Sequence, residues 1–439
     1  MIRLIYNLLW PVGLLLLLPS YLAKMFRRGG YREDFGQRLG FYSSEWRQRL
    51  HGESPTWIHA VSVGEVVIAL KLAEQLRALR SDLKCVLTTT TTTGHALAQK
   101  RAPDWMDVLY APLDFWPVMR RAFRVIAPQR IVLIEAEVWP NLLAEATRRK
   151  IPIILANARL SPRSERRFRR FKVFVGPIFR RLNLVCVPTR EDAERWKNLG
   201  AMASQIHAVG SIKYDSPEQS TLSPEPRRFL QRIGIDASRP ILLGGSTHRG
   251  EERILGEVFS VLRSEFPNLF LVLAPRHVER MKEVETELRE RNLRSIRRSV
   301  AESATPPLDC LLIDTTGELP DWYRVATVVF IGKSLTGHGG QNPVEAIIAG
   351  KPVIFGPYME NFANLSAQLV GADGAFCVST TAEFIDQAHR LLTDPELRER
   401  IVEAARRVLA PHRGATARTA AIIDNISSVG ATQLRDRNS

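Results

Sequence analysis

Apolar residues in the first half of the chain gather in short runs separated by amphipathic stretches. Thr56 to Val63 (TWIHAVSV) is continuous enough for a buried strand, and Gly64-Glu65 opens an amphipathic helix running to about Arg80. Cys85 to Thr88 predicts the next strand, leading into the threonine run Thr88 to Thr93 and a helix after Gly94. Ile131 to Ile134 predicts a third, ending at Glu135-Ala136-Glu137 before a helix start at Trp139-Pro140-Asn141. Pro152 to Asn157 and Leu184 to Pro188 give a fourth and a fifth. Strands alternating with helices at this pitch imply a parallel sheet covered on both faces. Ligands of such sheets bind beyond the carboxyl ends of the strands. Glu65, the threonine run, Glu135 and Asn157 all fall there.

The pattern then repeats. Gly210 to Asp215, followed by the Ser/Pro/Glu-rich SPEQSTLSPEPRR, reads as an interdomain connection. Pro240 to Leu243 runs into Gly244-Gly245-Ser246-Thr247-His248, with a helix starting near Glu251. Leu269 to Ala274 ends at Pro275-Arg276-His277, and Leu308 to Ile313 ends near Asp314 to Glu318. Thr327 to Ile331 precedes GHGGQNPVEAIIAGKPVIFGP, Gly337 to Pro357. This stretch predicts a glycine-rich turn, a helix opening at Asn342-Pro343 and a strand from Pro352 to Phe355. The duplication predicts an α/β chain of two Rossmann-like domains facing a cleft, at 36–212 and 231–420, joined by a linker at 213–230. A small-residue-rich helix near Gly414 to Asp424 is expected to pack back across the interface, with 421–439 a polar tail.

Residues 1–35 differ from everything downstream. Leu4 to Leu22 is largely apolar, broken by Asn7, Pro11, Gly13 and Pro19, and at roughly 20 residues is long enough to span a bilayer as a helix. Lys24, Arg27, Arg28 and Arg32 follow it against Arg3 before it, which keeps the downstream chain cytoplasmic by the positive-inside rule. The prolines equally suit an oblique, half-embedded helix. No small-x-small site follows, so an anchor is expected and not a cleaved signal peptide. Arg159 to Arg181 adds a basic stretch with Phe168, Phe171 and Phe174 at helical spacing. Such a helix either lies on an anionic membrane or turns its aromatics to the core and its charges to water.

The 439 residues favour two domains, and 45% hydrophobic with 24% charged residues is ordinary for a globular protein. The net charge of +15 is not, and it points to an anionic partner: a membrane surface, a nucleic acid or a phosphorylated substrate. The N-terminal anchor favours lipid over nucleic acid. Cys85, Cys186, Cys310 and Cys377 sit among apolar neighbours without a C-x-x-C pair, which fits buried thiols better than disulfides or zinc. Without a D-x-D or a ligand-spaced His/Cys cluster, neither a metal nor a cofactor is expected.

Several residues carry candidate chemistry. Gly339 and Gly340 let backbone amides approach an anion, and a helix start at Asn342 adds the macrodipole. Glu345 either meets ribose hydroxyls or closes a capping box with Asn342. Glu65 is a base or a dipole-complementing carboxylate. Glu135 and Glu137 share a side of a strand by the period of two, as a metal pair or an acid/base pair, unless Glu137 joins the following helix. Arg276 offers a fork of donors to phosphate or carboxylate, or a surface salt bridge. Gly317-Glu318 suits a helix cap, and Lys213 lies at the hinge.

Taken in order, HAVSVGEV, IEAEVWPNL, ANARLSPRS, GSIKYD, GSTHRGEE, APRH, TTGEL and GGQNPVEA resemble the 3-deoxy-D-manno-octulosonic acid (Kdo) transferases of lipopolysaccharide synthesis, nearly end to end. The resemblance implies the GT-B fold with an N-terminal membrane-anchoring helix. It implies transfer of Kdo from CMP-Kdo to a lipid A precursor (lipid IVA) at the cytoplasmic face of the inner membrane. Glu65 would match the family's base, and Glu135 and Lys213 its transition-state-stabilising positions. CMP contacts would fall on Pro275, Arg276, Gly317, Glu318, Leu319, Asn342, Pro343, Val344 and Glu345, and acceptor contacts on Thr93, Arg159, Ser161 and Arg163. Two positions depart from the family pattern: Ala136 replaces a threonine, and Val344 a leucine. With no D-x-D, the departing CMP phosphate needs Arg276, Lys213 and the Asn342 helix dipole for charge stabilisation, and direct displacement inverts the anomeric centre. The dipole at the helix start is expected to lower the pKa of Glu65. A GT-B enzyme using a UDP-sugar and a non-catalytic binder of anionic membrane surfaces are the alternative readings.

Overall fold

A computed structural model describes residues 6–10, 13, 34–160, 162–215, 225–236, 238–303 and 307–435. The chain divides into two compact units, Met1–Asp215 with His412–Ser439, and Ser216–Pro411.

In the first unit seven strands are parallel: β1 Thr56–Ala60, β2 Cys85–Thr89, β3 Met106–Tyr110, β4 Arg130–Ile134, β5 Ile153–Ala156, β6 Leu184–Val187 and β7 Ile206–Ala208. Their order is β3-β2-β1-β4-β5-β6-β7. Alternate residues feed opposite faces, so Trp57, Val86, Ile131, Leu133 and Leu155 enter one core. Ile58, Leu87, Val132, Ile134 and Ile154 enter the other. Order reverses between β1 and β4, which opens a crevice at their carboxyl ends.

The second unit is built likewise from β8 Ile241–Thr247, β9 Phe270–Pro275, β10 Ser295–Arg297, β11 Cys310–Leu312, β12 Val328–Ile331, β13 Val353–Phe355 and β14 Phe376–Cys377. All are parallel, in the order β10-β11-β9-β8-β12-β13-β14. The reversal lies between β8 and β12. Gly244 and Gly245, which follow the expected strand Pro240 to Leu243, lie inside β8, where a Cβ on Gly245 would collide with the Tyr323 hydroxyl.

Two boundaries need correction. The last helix, Ala415–Arg435, is part of the first unit and not the second, and it continues through the segment expected to be a polar tail. Ala420 and Ile423 are buried in the core beside the helix Val63–Leu79, where the Arg80 guanidinium pairs with Asp424. Cys377 is exposed, whereas Cys85, Cys186 and Cys310 are buried as expected. Among the described residues no helix is long and apolar enough to cross a membrane, and most of Leu4 to Leu22 lies outside them. The described part docks on the first unit, through a reciprocal amide pair of Asn7 with Asn141 at 2.9 and 3.0 Å and a Trp10–Phe115 ring contact.

The basic stretch divides. Helix Pro162–Arg170 places Phe168 against the core, edge-on to Phe179. Helix Lys172–Phe179 leaves Phe171, at its N-cap, Val173 and Phe174 exposed.

Candidate active site

The first unit gathers its candidate residues at the β1/β4 reversal. The chain leaves β1 at Ala60 and Ser62 caps the helix Val63–Leu79. Glu65 then turns back: its Oε2 accepts from the Val61 amide at 2.8 Å and its Oε1 from the Ser62 hydroxyl at 2.8 Å. This is capping-box chemistry, and it uses only part of a carboxylate's accepting capacity. Glu65 is buried. Burial pushes its pKa up, the Val61 and Ser62 hydrogen bonds oppose this, and the charge of Glu135 adds to the rise. The expected lowering by the dipole is overridden, because desolvation of the charged form outweighs the local donors.

β4 stops at Ile134, and Glu135 takes a left-handed backbone with φ of 60° while its amide donates to the Ala156 carbonyl at 3.0 Å. The period of two therefore does not relate Glu135 to Glu137, contrary to expectation. The two are linked electrostatically instead. Burial, then the charges of Glu65 and Glu135, raise Glu137 to about 7. Glu137 does not lie in the following helix Pro140–Arg148, whose first amides are capped from afar: Asp114 accepts from Asn141 N at 3.0 Å and Leu142 N at 2.8 Å. Among the described residues no group of three or more His, Cys, Asp or Glu side chains stands as a metal-ligand set.

Lys213 reaches this neighbourhood on a braced turn. Asn157, left-handed at φ 53°, accepts through Oδ1 from the Ser211 hydroxyl and the Ile212 amide, each at 3.1 Å. Asp215 anchors the far side by accepting from Gly414 N at 2.8 Å and Thr416 N at 2.7 Å. Burial and then the charge of Arg159 push Lys213 down to about 8, while Glu135 opposes them. Glu65, Glu135, Glu137, Arg159 and Lys213 thus form one coupled set. Thr93 is exposed on the helix Thr92–Arg101; its neighbours explain the threonine run, since Thr88 and Thr89 are strand residues and Thr91 caps that helix. Ser161 and the side chain of Arg163 lie outside the described residues.

In the second unit the candidate donor residues share the carboxyl end of the sheet. Pro275 ends β9, and exposed Arg276 donates its amide to the Thr247 carbonyl at 3.0 Å. Gly317, at φ 91°, precedes Glu318 at the N-cap of the helix Leu319–Val325, where the Glu318 carboxylate meets Trp322 Nε1 at 3.3 Å and Arg298 at 3.4 Å. Asn342 accepts from the Val344 amide at 3.1 Å, and its own amide stands 3.5 Å from Glu345. The N-cap, however, is Pro343, and the helix spans only Val344–Ile348. Five residues carry a weak dipole, so the expected macrodipole site is much reduced. The glycine turn is also occupied from within. Gly339 N donates to Glu360 at 2.6 Å and Gly340 N to the Lys333 carbonyl at 2.9 Å.

What organises this end is Glu251, which sequence reasoning placed only at a helix start. Buried completely, its carboxylate accepts from four amides, His248, Lys333, Ser334 and Leu335, at 2.7 to 3.0 Å. It binds the loops after β8 and β12 on either side of the second reversal.

Comparison with known proteins bears on this architecture. The family model for 3-deoxy-D-manno-octulosonic-acid transferase (kdotransferase) matches residues 33–216, and that for glycosyl transferases group 1 matches residues 310–408. The 3-deoxy-D-manno-octulosonic acid transferase of Haemophilus influenzae is 34% identical over 391 residues, 88% of this chain and 90% of that protein. The protein of the same description from Bordetella pertussis is 33% identical over 417 residues, 93% and 95% of the two chains. Among solved structures, the UDP-GlcNAc 2-epimerase of Neisseria meningitidis bound to UDP-GlcNAc superposes with a TM-score of 0.56 at 14% identity, over 86% of this chain and all (100%) of that one. The glycotransferase of kitacinnamycin gives 0.51 at 16%, over 84% and 99%. Those structural likenesses speak to the fold alone: two parallel-sheet α/β units of GT-B-like kind. With identity of 33–34% sustained across nearly the whole of both chains, the chain belongs to the 3-deoxy-D-manno-octulosonic acid (Kdo) transferase family and is a glycosyltransferase.

Proposed function

We propose that the chain transfers Kdo from CMP-Kdo to a lipid A precursor, lipid IVA, by inverting displacement. An acceptor hydroxyl attacks the anomeric carbon, its proton passes to Glu65, and the bond to the CMP phosphate oxygen breaks with CMP leaving. The observation that carries this reading is the coupled set of Glu65, Glu135 and Lys213 at the first reversal. A carboxylate raised by burial is a stronger base than an exposed one, and it retains capacity beyond its two capping bonds. Lys213, which feels the charge of Glu135, supplies positive charge for the phosphate side of the transition state.

On this reading the donor is held by Pro275 and Arg276, by Gly317, Glu318 and Leu319, and by Asn342, Pro343, Val344 and Glu345. Because the glycine amides and the short helix offer an anion little, Arg276 carries more of the phosphate charge than sequence alone suggested. Acceptor contacts are assigned to Thr93, Arg159, Ser161 and Arg163. No dedicated metal is included. The proposed place of action is the cytoplasmic face of the inner membrane, supported by the apolar run Leu4 to Leu22 and the exposed Phe171, Val173 and Phe174 beside arginines.

The test is product mass. Purified full-length protein incubated with CMP-Kdo and lipid IVA should increase the lipid's mass by one or more Kdo residues. Product formed only from UDP-sugars, or no lipid product at all, would refute the reading.

A further inference from the structure

At the opposite end of the second sheet the strands begin, and there the surface is hollowed. A cavity of about 1220 Å³ lies where Arg239, Thr327 and Pro352 lead into β8, β12 and β13. Because those strands are parallel, this is the end remote from Arg276, Glu318 and Asn342. Its lining includes nine arginine or lysine side chains against three carboxylates.

Arg400 is paired with Asp394 and Glu396, each at 3.8 Å, but other cations are oriented by groups that carry no charge. Arg398 is fixed by the Leu391 and Leu392 carbonyls at 2.5 and 3.2 Å, and Arg239 by those of Asn268 and Leu269 at 2.8 and 3.1 Å. Carbonyls orient a guanidinium and leave its charge uncompensated. Arg227, Lys351, Arg406 and Arg407 have no carboxylate within 4.0 Å among the described residues. Gly350, at φ 75°, makes the turn into β13, and a Cβ there would lie 3.0 Å from Arg406 Nη2. Lys351 is pushed down by burial and by the charges of Arg227 and Arg398. Like charges gathered in a concave surface repel, and that repulsion becomes binding energy when a multivalent anion enters. Arginine forks match phosphate oxygens in pairs.

We propose that this cavity is a second anion site, binding a ligand that carries phosphate groups through Lys351, Arg398, Arg406 and Arg407. The ligand is either a free di- or polyphosphorylated molecule or the phosphate headgroups of a membrane. The proposal does not depend on the catalytic reading, because it uses the other end of the sheet.

Two probes separate the sources. Inorganic pyrophosphate is titrated calorimetrically into the full-length protein, and flotation is measured with phosphatidylglycerol against phosphatidylcholine vesicles. The variants are Lys351→Ala, the exposed pair Arg406→Glu/Arg407→Glu, a control outside the cavity, Lys282→Glu/Arg289→Glu, and Arg276→Ala, which reports any pyrophosphate held at the proposed donor site. Thermal melts select the variants that remain folded. A free-ligand site predicts a pyrophosphate-binding component that survives both Arg276→Ala and Lys282→Glu/Arg289→Glu and weakens at least tenfold in the cavity variants. A headgroup site predicts instead a matching loss of phosphatidylglycerol flotation with the same selectivity. If neither probe distinguishes cavity variants from the control, or if Arg276→Ala accounts for all pyrophosphate binding, the site does not exist.

Discussion

Glu65 caps its helix and, on the proposed reading, also takes a proton, and its pH response separates the two duties. As a base it must be ionised, and its raised pKa means that activity falls with decreasing pH while still above the ordinary glutamate range. On the same reading Lys213 must be charged to oppose phosphate, and with its pKa pushed down to about 8 the charged fraction falls as pH rises through that value. The pH profile of kcat/KM is therefore expected to be bell-shaped with an alkaline limb near 8. Lys213→Arg, which stays charged, should lose or shift that limb upward while costing activity through altered geometry. An alkaline limb unchanged in this variant would remove Lys213 from the reaction. Glu137, near 7, titrates within the same range and couples to both glutamates, so apparent values belong to the set.

At the scale of elements, the sequence made the central strands legible and concealed the outer ones. The strands not anticipated, β3, β7, β10 and β14, are the four edges of the two sheets. Central strands are buried on both faces and read as apolar runs. β7 is largely exposed, β10 is half-buried, and β14 has only two residues, so their patterns are faint. The carboxylates at strand ends were readable because loops there open on the crevice. What escaped was the use of polar groups within the protein: Asp114 capping a distant helix, Glu360 filling the glycine turn, Glu251 holding two loops together. Such pairings join positions far apart in sequence, and no local spacing encodes them. Glu251→Gln keeps the shape but loses the charge and turns one of the two accepting oxygens into an NH2, so two of the four amides lose their acceptor at about 1–3 kcal/mol each. It should lower the thermal midpoint and raise KM for the donor more than it lowers kcat. Unchanged stability would show that these loops are held by other contacts.

For the molecule as a whole, net charge and exposed apolar residues point to an anionic surface. Phe171, Val173 and Phe174 are exposed next to arginines and Lys172, while Phe168 fills the core. Replacing Phe171, Val173 and Phe174 by serine should reduce flotation with phosphatidylglycerol vesicles several-fold without lowering the melting midpoint, because those side chains contribute little to packing. Substituting Phe168 should instead destabilise the fold. Equal flotation of the triple variant and the parent would confine membrane attachment to other parts of the chain.

The proposed reaction requires a buried carboxylate to take the acceptor's proton. Its most direct test is the single-turnover rate of Kdo transfer by Glu65→Gln at saturating donor, in protein whose melting and vesicle flotation match the parent. General-base catalysis predicts a loss of about 10²–10⁴-fold that rising pH does not restore. A rate within a few-fold of the parent would show that Glu65 serves only to cap its helix, and that the proton goes elsewhere.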